Sequence, residues 1–336
     1  MGKVRVLNAG DVARAIGMDE VLALVEKAFA ERGEGRVQMP PKSYLFFKEH
    51  GGDLRVMPAF LESLGQAGVK LVNVHPGNPE AHGLPTVMAT IVLVNPETGE
   101  PLCIMDGTDI TAMRTAAASG VATRYLARAG STTLGLIGAG YQSLYQLDAI
   151  SRVVPLERIT IYDVIREKAD KLAHMAARRL GLDVDACATA AEAVRGKDIV
   201  VTATPSTSPI VEDEWVSEGV HFNCVGADAP GKQELQPAIL TRARIVIDDW
   251  EQASHSGEIN VPVNQGLLSR SGIAAEIGEV VAGLKEGRTS ESEITVFDTT
   301  GLAIQDVICA WKAYEVSIES DLGIEIDSLF GSSPQR

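Results

Sequence analysis

Leu134–Gly135–Leu136–Ile137–Gly138–Ala139–Gly140–Tyr141–Gln142–Ser143 closes a short apolar run on a glycine turn and opens into a helical segment. Apolar Ile159–Thr160–Ile161–Tyr162 follows and ends on Asp163, 25 residues beyond Gly138. Strand, glycine turn, helix, strand and acid in that order are the parts of a dinucleotide-binding βαβ unit. Gly138 allows the tight turn, and Gly140 lets the backbone approach a pyrophosphate. Unpaired N–H groups at the helix start suit that anion, and Asp163 can accept from ribose hydroxyls. Ser143 stands where the usual pattern has a third glycine, and it is small enough for close helix–strand packing. A glycine triplet alone also serves ordinary α/β turns; the flanking strands and the acid favour a bound dinucleotide.

From residue 134 onward, strands and helices alternate. Strands are predicted at Thr133–Ile137, Ile159–Tyr162, Asp183–Cys187, Asp198–Thr202, His221–Val225, Arg244–Ile247 and Thr295–Phe297. Helices are predicted near 141–154, 165–180, 233–241 and 275–286. This order predicts a Rossmann-type, doubly wound parallel sheet covered on both faces. The preceding residues differ in character. Val21, Leu22, Val25, Ala28 and Phe29 recur at helical spacing, with Asp19 as N-cap and Gly33 as terminator. Strand-like runs at Ser43–Phe47, Leu54–Met57, Gly68–Val74, Thr86–Val94 and Leu102–Met105 predict an antiparallel sheet. A small-residue helix over Thr108–Arg128 leads into the glycine turn. The apolar helix from Leu302 to Ile318 is expected to return to the N-terminal part and leave a cleft between two lobes. The expected division is 1–128 with 302–336 as a mixed α+β substrate and dimerisation domain, and 129–301 as the nucleotide domain.

A chain of 336 residues has room for two cores, and 45% apolar with 22% charged residues suits a globular α/β protein. The net charge of −15 argues against nucleic acid. No apolar run reaches the ~18 residues of a membrane span, and the start does not read as a signal peptide. Cys103, Cys187, Cys224 and Cys309 are dispersed in apolar surroundings, which predicts reduced thiols and a cytoplasmic protein. The six histidines show no metal-ligand spacing, His75 and His82 reading as loop residues, and the tail Gly331–Arg336 reads as disordered.

Several polar residues interrupt apolar segments. Lys70 shares a strand face with Val72 and Val74, where desolvation would lower its pKa as proton-transfer lysines require. An edge-strand lysine reaching water is the alternative. Arg55 and Lys42 raise the same question. Arg114, on the helix before the glycine turn, could grip a carboxylate bidentately or pair with Asp106 or Asp109. Asp228, after an apolar strand, points towards the place expected for a nicotinamide, where it could exchange a proton with an amine; it could instead cap a helix over Gln233–Leu240. Thr204–Pro205–Ser206–Thr207 closes another strand at the same edge.

Taken together, Lys70–Pro79, Met105–Gly107 through Arg114–Ala117, Gly138–Ser143, Gly226–Lys232 and Val296–Gly301 resemble the ornithine cyclodeaminase/μ-crystallin family across almost the whole chain. The resemblance implies NAD as cofactor, homodimers, Lys70 as the catalytic lysine, Arg114 as the main carboxylate clamp and Asp228 as acid/base. It also implies nucleotide contacts from Thr86, Arg114, Tyr141, Gln142, Asp163, Thr204, Val225, Lys232 and Thr299, besides Gly138 and Gly140. Lys42 stands where the family has a substrate-binding arginine, without its planar fork. Arg55 replaces the acid that ornithine cyclodeaminases carry before Met-Pro, a feature shared with archaeal-type alanine dehydrogenases. Asp163 favours NAD over NADP, because an acid repels a 2′-phosphate. The expected activity is oxidative deamination of a small L-amino acid, L-alanine first. Cyclodeamination of ornithine or lysine, imine or ketimine reduction, and non-catalytic binding are the alternatives.

Overall fold

The computed structural model describes residues 2–327, so the expectation for the Gly331–Arg336 tail lies outside the described residues. These residues form two compact units, one of residues up to 31, 35–114 and 302 onward, the other of residues 32–34 and 115–301. The chain opens with β1 (Lys3–Leu7), α1 (Ala9–Ala15), α2 (Met18–Gly33), β2 (Val37–Gln38), β3 (Ser43–Phe47), β4 (Gly52–Leu61) and β5 (Gln66–Val74). It continues through α3 (Asn78–His82), β6 (Val87–Val94), β7 (Pro101–Asp106) and α4 (Thr108–Leu126). Asn8 caps α1 with its side chain, which accepts from the N–H of Asp11. Asp19 is not the cap of α2; it lies in the first turn, where a carboxylate complements the helix dipole. His82 ends the short α3 rather than sitting in a loop.

The second unit carries β8 (Thr133–Ile137), α5 (Ser143–Ser151), β9 (Arg158–Tyr162), α6 (Arg166–Leu180), β10 (Asp183–Ala186), α7 (Ala190–Val194) and β11 (Ile199–Thr202). After it come β12 (His221–Cys224), α8 (Pro237–Arg242), β13 (Arg244–Ile247), α9 (Trp250–Ser256), α10 (Asn260–Asn264), β14 (Ile273–Glu276), α11 (Ile277–Val281) and β15 (Thr295–Asp298). The strand order β10-β9-β8-β11-β12-β15-β13-β14 is parallel throughout. Every residue of β11, β12 and β15 is buried, as expected of strands covered on both faces. The order reverses between β8 and β11, which places a ligand crevice beyond their carboxyl ends. The helix expected over 275–286 is a correction. Ala275 pairs with Val246, so Ile273–Glu276 is a strand, and helix begins only at Ile277.

The chain ends, among described residues, with α12 (Ala303–Glu319) and β16 (Ile324–Asp327). In the first unit the strand order is β16-β1-β7-β6-β5-β4-β2, with β3 also paired to β4. The sheet is mixed rather than purely antiparallel, because β1 runs parallel to β7. Alternation puts Met57, Ala59 and Leu61 of β4, Val72 of β5, and Ala89, Ile91 and Leu93 of β6 on one buried face. α12 packs against β4, β5 and β6, and Trp311 donates to the Ala67 carbonyl at 3.1 Å. Ala303 through Ala310 are all buried, so the first half of α12 is apolar nearly all round because it has no solvent face. Two polar residues, Gln305 and Asp306, sit inside that run.

Candidate functional site

The parallel sheet leads to a cleft of about 520 Å³ bordered by Gly138, Gly140, Tyr162, Asp163, Thr204 and Pro205. Gly138 has φ 100°, and an added Cβ would lie 2.6 Å from the Ala203 carbonyl oxygen. No larger residue fits that turn. A Cβ on Gly140 would meet nothing within 4 Å, so the backbone there is open to a ligand. Ser143 is fully buried and donates to the Gly138 carbonyl at 2.8 Å, which fixes the helix against the turn. Asp163 braces the same loop. One carboxylate oxygen accepts the Ala139 N–H at 2.7 Å and the other the Ile165 N–H at 2.8 Å. Each oxygen keeps a lone pair for a ribose hydroxyl. The Gln142 Oε1 is buried without a hydrogen-bond partner, a cost that a ligand donor would relieve. Tyr141 packs 5.5 Å from Tyr145 beside an adjoining groove that shares Gly140 and Lys168 with the cleft. Open turn, partnerless amide oxygen and acid together fit a dinucleotide.

Other predicted residues of this unit have defined partners. Val225 donates its N–H to Thr202 and continues the β11–β12 ladder. The Thr299 hydroxyl donates to Asp248 at 3.1 Å. Asp228 does not cap a helix, since α8 begins at Pro237 with Gln236 in the cap position. Its carboxylate instead meets Lys232 Nζ at 2.5 Å, and both side chains are partly exposed.

In the first unit, Lys70 lies on β5 between β4 and β6, paired with Met57 and Ile91. The edge-strand reading is therefore excluded. Its side chain is 0% exposed, and Nζ donates to Asp306 Oδ1 at 2.7 Å. Arg114, also buried, donates from Nε to the same oxygen at 2.8 Å and from an Nη to Gln305 at 3.1 Å. The ion-pair partner of Arg114 is thus Asp306 on α12, where the sequence had offered Asp106 and Asp109. Burial, then the Arg114 charge, pushes the Lys70 pKa down to about 7, although Asp306 and its hydrogen bond pull the other way. Lys42 adds to the depression and so lies within electrostatic reach. Arg55 shares the Lys70 sheet face by register, but its guanidinium engages Asp53 at 2.9 Å and lies over the Tyr44 ring. Thr86 follows α3 and accepts the His75 N–H at 2.8 Å.

Asp306 and Gln305 were missed from sequence. The one available signal was an acid and an amide between Ile304 and Val307 in the half of a helix too apolar to have a solvent face. All hydrogen bonds to Asp306 fall on Oδ1, leaving Oδ2 buried with no partner. Arg114 and Lys70 share one anion in a buried site, so the cluster carries an excess positive charge while Lys70 is protonated, below about pH 7. The four cysteines are free and buried. Among the described residues no helix is long and apolar enough to cross a membrane, and no group of three or more His, Cys, Asp or Glu could hold a metal ion.

The ornithine cyclodeaminase/mu-crystallin family model matches residues 3–321. An alanine dehydrogenase of Archaeoglobus fulgidus is 49% identical over 321 residues, covering 96% of this chain and 97% of that protein. Among solved structures, an archaeal alanine dehydrogenase dimer with bound NAD superposes with a TM-score of 0.93 at 48% identity, covering 98% of this chain and 100% of the other. The Δ1-pyrroline-2-carboxylate reductase of Thermococcus litoralis, in complex with NADH and L-proline, gives a TM-score of 0.93 at 39% identity, with 96% and 100% covered. The chain belongs to the ornithine cyclodeaminase/mu-crystallin family, which comprises NAD-dependent amino-acid oxidoreductases and cyclodeaminases.

Proposed function

We propose that the protein catalyses reversible, NAD-dependent oxidative deamination of L-alanine or a similarly small amino acid. The observation that carries this reading is the buried Lys70–Asp306–Arg114 cluster, which sets a lysine of pKa about 7 beside a guanidinium suited to one substrate carboxylate. The 49% identity to an alanine dehydrogenase supports it. NAD, when bound, supplies the oxidant that accepts hydride from the amino acid's Cα. Arg114 holds the carboxylate, assisted by Arg55 and Lys42. Asp228 takes the amine proton. Neutral Lys70 removes a proton from the water that attacks the imine, and protonated Lys70 donates to the carbonyl oxygen in the reverse direction. Residues 129–301 serve the cofactor, through Gly138, Gly140, Tyr141, Gln142, Asp163, Thr204, Val225, Lys232 and Thr299. Residues 1–128 with 302–336 serve the substrate and a homodimer contact, with Thr86 and Arg114 also reaching the cofactor.

Imine reduction is the second reading, favoured by the 39% identity to the Thermococcus litoralis reductase bound to NADH and L-proline. The two separate in one assay series at 340 nm. L-alanine with NAD⁺ should build up NADH steadily, with kcat/KM at least tenfold above L-proline or L-ornithine. Absence of alanine turnover, with rapid NADH oxidation on Δ1-pyrroline-2-carboxylate, overturns the alanine reading. Ornithine consumption without NADH build-up would identify a cyclodeaminase.

Cofactor choice is tested at Asp163. Its carboxylate disfavours a 2′-phosphate in the same crevice, so Asp163→Asn is expected to lower the preference for NADH over NADPH at least tenfold by fluorescence titration. An unchanged ratio removes Asp163 from that role.

A further inference from the structure

We propose that Glu234 is a positioning residue for the dinucleotide, holding the loops after β11 and β12 in their binding arrangement with one buried carboxylate. This role presupposes the NAD site proposed above. Glu234 is 0% exposed. Its Oε1 accepts the Thr204 N–H at 2.7 Å and its Oε2 accepts the Gly226 N–H at 3.0 Å. β11 and β12 are neighbouring parallel strands whose last paired residues are Thr202 and Cys224. The Val225 N–H still reaches the Thr202 carbonyl. One residue further on, the carboxylate takes over and joins the two loops.

The loops are drawn tightly around it. A Cβ on Gly226 would lie 2.3 Å from the Thr204 carbonyl oxygen and 2.5 Å from Glu234 Oε2, so the carboxylate fills the space a side chain would need. Thr204 borders the same cleft as Gly138, and Gly138 is packed against the Ala203 carbonyl. A shift at Thr204 would therefore reach the glycine turn as well.

Glu234 is itself fixed from behind. Its N–H donates to both oxygens of the buried Glu258 at 2.9 and 3.0 Å, and the Leu235 N–H donates to Glu258 at 2.7 Å. Its carbonyl accepts the N–H groups of Ile210 and Val211 at 2.7 and 3.0 Å. A carboxylate is the side chain this geometry requires, because two N–H donors need an acceptor at each end. A glutamine would turn its own NH₂ against one of them.

The test is NADH fluorescence titration of full-length wild type and Glu234→Gln, with melting temperatures recorded without ligand. The variant is expected to bind NADH about tenfold or more weakly while melting within a few degrees of wild type. A variant Kd within twofold of wild type overturns the role. Hydrogen exchange on the wild type gives a second measurement that needs no folded variant. Peptides containing Thr204 and Gly226 should already be protected without NADH, and free exchange there until NADH is added overturns the role. Failure of the wild type to bind NADH would instead defeat the cofactor reading, and this role with it.

Discussion

Lys70→Met is expected to lower kcat for alanine oxidation roughly a thousandfold, within the range that positioned proton-transfer groups contribute. Methionine fills most of the lysine's volume, and Asp306 keeps its bond from Arg114, so the fold should survive. Below about pH 7 the buried amine is charged and above it neutral. Oxidation, which needs the neutral form to take a proton from water, should rise with pH through about 7. Reductive amination, which needs the charged form as donor, should fall through the same value. Lys70→Arg separates charge from proton transfer, because a guanidinium stays charged across this range. It should show the thousandfold loss and no limb near 7. Oxidation by Lys70→Met within tenfold of wild type would remove Lys70 from the chemistry.

Much of this arrangement is legible in the sequence because its signals are local. The Gly138–Ala139–Gly140 turn, the apolar runs of β8 and β9, and Asp163 after β9 all lie in one short segment, Thr133 to Asp163; backbone conformation and strand burial dictate each of them. Lys70 could be suspected from two-residue alternation, but whether it faced water depended on which strands flank β5. That is a matter of pairing, which the segment itself does not encode. β14 shows the converse failure. Ile273–Glu276 has the composition of a helix start, and its pairing with β13 overrides that preference.

Two residues central to the argument were invisible for another reason. Asp306 is separated from Lys70 by 236 positions, and Glu234 acts on Thr204 and Gly226 from a segment read only as part of a helix. Carboxylates of this kind are defined by the cations and N–H groups that surround them after folding. Their own neighbours in sequence look like ordinary helix or loop. A buried acid is costly without such partners, so the clue available in advance is its setting. Asp306, among Ile304, Val307 and Ile308, was the clearest case.

Asp306→Asn should therefore reveal whether that acid is the keystone of the cationic site. Removing one partner of a buried ion pair costs about 3–5 kcal/mol, because the remaining charge is left without compensation. Here the Arg114 guanidinium and the Lys70 amine, a cation below about pH 7, lose the same oxygen. A fall in melting temperature of about 10 °C is expected for a chain of this size. The variant should also carry a signature that mere loss of packing would not. Asp306 raises the Lys70 pKa both by charge and by its hydrogen bond, so its removal lowers that pKa further. The rising limb of alanine oxidation should move below pH 7, and the falling limb of the reverse reaction should move with it. At a pH below the lowered Lys70 pKa, where the amine is still charged, adding Lys70→Met to Asp306→Asn removes one of two stranded cations, so there the double variant should regain part of the lost stability despite a second core substitution. An Asp306→Asn protein that melts within 2 °C of wild type, with both limbs still near 7, would mean that Lys70 is tuned by burial and by Arg114 without Asp306, in which case α12 contributes packing to the site and no charge.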